Sequence, residues 1–144
     1  MRNNYVQELE ALHNKLLDLG KAAETSVNKA TQAYIESDTE LAHEVFSDDL
    51  KINATTAEIE KDTHKIIALQ QPVSQDLRTV ITVLKASSDL ERMGDHAVSI
   101  ARATIRMKGE LRSKVVEEEI SKMGREVKDF VEATLELYLK GDVE

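Results

Sequence analysis

The chain has 144 residues, 32% of them charged, a net charge of −8 with neutral histidines, no Cys, one Pro, five Gly and 3% aromatic residues. That length is one domain with room for a real core, and the missing Cys excludes a disulfide framework, a thiolate metal site and a Cys nucleophile. The acidic balance excludes a phosphate-backbone surface, so no nucleic-acid partner is expected, and the few aromatics argue against base-stacking platforms and most β folds.

With so few breakers, long helices are expected. The first segment runs from about Asn4 to Glu36. Its apolar positions Tyr5, Leu9, Leu12, Leu16, Leu19, Ala23, Val27, Ala30 and Tyr34 step by threes and fours, which defines one helical stripe. Ser37 followed by Glu40 reads as a capping box for the next helix. That second segment, about Asp38 to Leu69, repeats Val45, Ile52, Ile59 and Ile66 every seven residues and ends at Gln70-Gln71-Pro72. The proline is expected to stop one helix and open the next in its first turn.

The third segment runs from about Val73 to Lys108 and stops at Gly109; Leu77, Val80, Leu84, Leu90, Val98, Ala101 and Ile105 form its apolar side. The fourth runs from about Leu111 to Lys140, with Val116, Ile120, Met123, Val127, Val131, Leu135 and Tyr138. The fold class is therefore all-α: an up-down three-helix bundle of long helices plus a fourth helix. No apolar stretch approaches a membrane span, and Met1-Arg2-Asn3-Asn4 opens no signal peptide, so a cytoplasmic location is expected.

An internal repeat is also visible. Setting Leu16–Glu40 beside Ile120–Glu144 aligns Gly20 with Gly124, Val27 with Val131, Tyr34 with Tyr138, Asp38 with Asp142 and Glu40 with Glu144. It divides the chain into a three-helix unit, 1–109, and the first helix of a second unit, 110–144. A fragment of a longer tandem repeat is the expectation, with the fourth helix packing on the first bundle or on another copy of the chain.

The informative residues are acids near apolar stripes. At about 100° per residue, with Leu77 at zero, Glu91 falls at about 320° and Asp95 at about 0°, one turn apart within the third stripe. Gly94 lies beside them and permits a close approach. On the second helix, with Val45 at zero, Asp49, Asn53 and Glu60 fall at about 40–80°, bordering the core side. Facing helices would gather these carboxylates and the amide. Such groups are costly to desolvate and repel one another, and an oxygen-bound cation relieves both penalties. The donor set favours Mg, Mn, Ca or Fe over structural Zn.

The alternative is a purely structural interaction bundle without metal, in which Arg78, Arg92 or Arg102 neutralises Glu91 and Asp95. A di-iron oxidase is a third reading, disfavoured because the Glu10-x-x-His13 and Glu40-x-x-His43 pairs do not share a core face. His64 and His96 read as surface residues, Met107 as an exposed residue without a role, and no phosphate cradle or Ser/His/Asp set is present.

Two motifs carry a family resemblance. Gln71-Pro72-Val73-Ser74-Gln75-Asp76-Leu77-Arg78 and Asp89-Leu90-Glu91-Arg92-Met93-Gly94-Asp95-His96-Ala97, with Asp49 to Asn53 and Glu60 upstream, make the whole chain resemble the PhoU family. The resemblance implies tandem three-helix repeats, each with an acidic E/D-x-x-x-D motif that can hold metal; here Glu91 and Asp95 are the first, and the second would lie beyond Glu144. It implies a non-enzymatic cytoplasmic regulator of phosphate uptake and of the phosphate-starvation response. Its partners would be the ATPase of the phosphate ABC transporter and a sensor histidine kinase, reaching the membrane only through them. It also implies a homo-oligomer and a divalent or iron-type cofactor (Fe, Mn, Mg or Zn).

Overall fold

The computed structural model describes residues 2–72 and 74–107 and, beyond them, 118, 120–122, 124–126, 128, 129 and 132. Three helices account for most of these: α1 (Arg2–Glu36), α2 (Thr39–Gln70) and α3 (Ser74–Arg106). The described residues from 118 onward are helical as well, and no strand occurs among the described residues. The expected unit boundary at 109/110, and most of the fourth segment's apolar positions, lie outside the described residues.

Each of the three helices packs on the other two. Direction is fixed by side-chain pairs. Lys15 sits between Glu58, at 2.8 Å, and Asp62, whereas Lys29 sits between Glu44, at 3.6 Å, and Asp48, at 2.8 Å. Moving up α1 therefore means moving down α2, so the two are antiparallel. Tyr5 lies beside Asp76 and the Tyr34 hydroxyl donates to Met107 Sδ at 3.5 Å, so α1 and α3 run parallel. The result is the expected up-down bundle. Met107, expected to be exposed, is instead half-buried under that hydroxyl.

The core follows the predicted stripes of α1 and α2. Leu12, Leu16, Leu19, Ala23, Val27, Ala30 and Tyr34 are buried, and so are Val45, Ile52, Ile59 and Ile66. Burying the leucine, isoleucine and valine side chains among them contributes about 1.5–3 kcal/mol each, which offsets the ordering of long helices. Thr56 and Thr104 are tolerated inside because their hydroxyls donate to the Ile52 and Ile100 carbonyls.

The α1–α2 junction differs by one residue from expectation. Ser37 adopts a left-handed conformation, φ 57°, and its N–H bonds the Tyr34 carbonyl while the Asp38 N–H bonds the Ala33 carbonyl. These are the paired bonds of a Schellman ending. Asp38, not Ser37, then caps α2, its carboxylate accepting from the Leu41 N–H at 3.0 Å. At the other junction Gln71 takes the left-handed conformation, φ 46°, and closes α2 onto the Ile67 carbonyl. Pro72 follows as a stop; α3 begins at Ser74, so the proline does not occupy its first turn.

Candidate metal centre on the α2–α3 face

On α3 the core is centred differently from the sequence reading. Ser87, Leu90, Gly94, Ala97 and Ala101 are buried, whereas Leu77, Leu84 and Val98 are only half-buried. The small residues among these share the buried side with Val80, Val83, Met93 and Ile100, and Leu77 lies at its edge. Glu91 and Asp95 therefore stand on the flank that faces α2 rather than inside the stripe, Glu91 half-buried and Asp95 exposed.

The antiparallel register places Asp49 against Gly94. A side-chain carbon built on Gly94 would stand 3.2 Å from Asp49 Oδ1 and 3.4 Å from Ile52 Cδ1, so the absent side chain makes room for that carboxylate. Asn53, one turn along, donates its amide to Asp49 Oδ2 at 3.2 Å. Asp49 Oδ1 is buried with no hydrogen-bond partner. A buried carboxylate oxygen without a partner is costly.

Electrostatics bind the remaining acids to the same face. Burial first, then the neighbouring charges of Asp95, Glu60 and Asp49, push the Glu91 carboxyl above its usual range. Burial and Asp95 likewise push Asp49 up, against the lowering effect of the Asn53 amide. Thus the five residues singled out from the sequence, Asp49, Asn53, Glu60, Glu91 and Asp95, are brought to one face of two helices. Asn53, Glu60 and Asp95 are exposed, which gives that face an open, wet rim.

The arginine alternative is not realised among the described residues. Arg92 turns away to Asp89 at 3.4 Å, and no described ion pair engages Asp49, Glu60, Glu91 or Asp95. Nor do three His, Asp or Glu side chains among the described residues converge closely enough to enclose one cation. The acids share a face without closing on a point. Their fit to a cation rests on the orphaned Asp49 Oδ1, the room at Gly94 and an all-oxygen donor set, and closing the shell would take side-chain rotation at the exposed rim. His64 and His96 are exposed, as are Glu40 and His43, whose ring meets Phe46 edge-on at 5.8 Å.

A bundle of three long helices with an acidic face between its second and third members defines an all-helical bundle domain. Comparison with known proteins makes this particular. Residues 16–104 match the family model of the PhoU domain, and the chain belongs to that family. It is 37% identical over 144 residues to the phosphate-specific transport system accessory protein PhoU homolog of Clostridium acetobutylicum, covering 99% of this chain and 65% of that protein. The Streptococcus pneumoniae homolog is 38% identical over 125 residues, covering 87% of this chain and 57% of that protein. The chain thus spans less than two thirds of the curated relatives it matches. Among solved structures, PhoU from Pseudomonas aeruginosa superposes with a TM-score of 0.89 at 34% identity, covering 94% of this chain and 65% of that one. No described helix is long and apolar enough to cross a membrane.

Proposed function

We propose that this chain is a metal-binding, non-enzymatic regulator of phosphate uptake, and that the α2–α3 acidic face is its metal centre. The observation that supports the metal is Asp49 Oδ1, buried beside Gly94 with no partner, on the face where the charges of Asp95 and Glu91 also act. A bound cation would neutralise carboxylates that otherwise repel. Glu91, Asp95 and Asp49 would supply its charged ligands, with Asn53 and Glu60 at the rim; Mn, Mg or Fe match these oxygen donors. The phosphate role is supported by the relatives, which are named phosphate-specific transport accessory proteins.

In this role the chain acts between the phosphate ABC transporter's ATPase and a sensor histidine kinase in the cytoplasm, as a homo-oligomer, and restrains the phosphate-starvation response. The cation makes the acidic face a defined docking surface by holding the helix flanks at fixed charge. Elemental analysis of the purified chain tests the centre. Metal is expected in the unmodified chain and lost in E91Q/D95N with helicity retained by circular dichroism; equal metal in both would overturn the assignment. Binding to the transporter ATPase, compared with and without chelator, tests the regulatory role separately. Metal-dependent association is expected, and no association under either condition contradicts it.

A further inference from the structure

The two carboxylate oxygens of Asp49 have different neighbours. Oδ1 lies in the crease against α3, 3.2 Å from where a side-chain carbon on Gly94 would stand, and Ile52 borders the same space. It is buried and accepts no hydrogen bond. Oδ2 accepts from the Asn53 amide at 3.2 Å. Asn53 follows Asp49 by one turn of α2, so helix geometry keeps donor and acceptor on one face. An ionised carboxylate at position 53 could not make this bond, because it has no hydrogen to donate.

We propose that Asn53 is a positioning residue of the metal centre rather than one of its ligands: by holding Asp49 Oδ2 it leaves Oδ1 to meet a cation, and so selects small octahedral cations over calcium. This rests on the reading of the α2–α3 face as a metal centre.

The selection follows from coordination number. Calcium takes about six to eight oxygens and often draws two of them from one carboxylate. Magnesium and manganese close a compact octahedral shell, with one oxygen from each carboxylate and water at the remaining positions. An ion held by both Asp49 oxygens would have to displace the Asn53 amide. The exposed position of Asn53 leaves the core out of this effect: a change there alters what Asp49 offers, not how the helices pack.

Competition on the full chain tests the role. Mn²⁺ is bound first, Ca²⁺ is then added, and released Mn²⁺ is read from its aquo-ion paramagnetic resonance signal. In the unmodified chain, displacing half of the Mn²⁺ should take at least about a tenfold excess of Ca²⁺. Asn53→Leu keeps the bulk and donates nothing. It should narrow that preference about threefold to tenfold with helicity unchanged, whereas Asn53→Gln, which keeps an amide, should retain most of it. A purely structural Asn53 would change both affinities together and not their ratio. An unchanged ratio in Asn53→Leu, or equal loss of both ions, therefore overturns the positioning role while leaving the metal centre standing. Absence of Mn²⁺ binding by the unmodified chain removes the centre and this role with it.

Discussion

Gly94 of α3 holds Asp49 of α2 in place by what it lacks: its missing side chain leaves the Asp49 carboxylate 3.2 Å from where a methyl group would stand. In mid-helix an alanine is intrinsically more favourable than glycine by about 1 kcal/mol. Gly94→Ala should therefore leave unfolding stability within about 1 kcal/mol of the original, because the gain in propensity offsets a few tenths of an ångström of displacement. The cost falls on the site. Metal affinity should drop about tenfold to a hundredfold, as expected when a ligand's support is displaced. Calorimetric titration beside urea unfolding separates the two effects.

The acids impose a penalty on the metal-free fold that depends on pH. Asp49 and Glu91 have carboxyls raised above their usual range, so the folded state binds more protons than the unfolded chain between the ordinary and the raised values. Stability then falls as pH rises through that window and is lowest above it. In chelator, the melting temperature should rise as pH is lowered from about 7 toward about 5, and Asp49→Asn should raise it by a few degrees at neutral pH. With saturating metal both effects should shrink or reverse. Thermal melts across pH, with and without chelator, read this directly.

The apolar core outweighs any surface charge. Ile52, Ile59 and Leu90 are fully buried. Ile59→Ala or Leu90→Ala should cost about 2–5 kcal/mol by urea unfolding. Lys29→Ala removes contacts to Glu44 and Asp48 that are partly solvated, so its cost should stay below about 1 kcal/mol and vanish in high salt.

The α1–α2 turn offers opposite signs at adjacent residues. Ser37 has positive φ, so Ser37→Gly should stabilise by several tenths of a kcal/mol up to about 1. Asp38→Ala removes the cap on the Leu41 N–H and should cost about 1 kcal/mol.

Much of this architecture is legible in the residue pattern because α1 and α2 bury large aliphatic side chains at regular spacing. Every stripe position from Leu12 to Tyr34 is buried, and so is each of the four heptad residues of α2. The α3 stripe misleads because Leu77 looks like a core residue whereas Ala86, Ser87, Gly94 and Ala97 do not, yet these small residues are buried beside the expected Val80, Leu90 and Ala101. Shifting the reference by that much moves Glu91 and Asp95 from the core to the α2-facing flank. The grouping of Asp49 with Gly94 needs the antiparallel register, which single-helix periodicity does not contain. The residue pattern places the cap one position early because Ser37 is as good a capping residue by type as Asp38, and only its left-handed backbone removes it from that role.

The central claim is that Asp49, Glu91 and Asp95 together hold a hard cation. Electron paramagnetic resonance of Mn²⁺ added to the metal-free chain tests it most directly, because the sharp signal of the aquo ion disappears on binding. The unmodified chain should remove Mn²⁺ from the free pool saturably, D49N should weaken this at least tenfold, and E91Q/D95N should abolish it while the circular-dichroism spectrum stays helical. Mn²⁺ binding of equal strength in all three, or in none at millimolar metal, would contradict the metal centre.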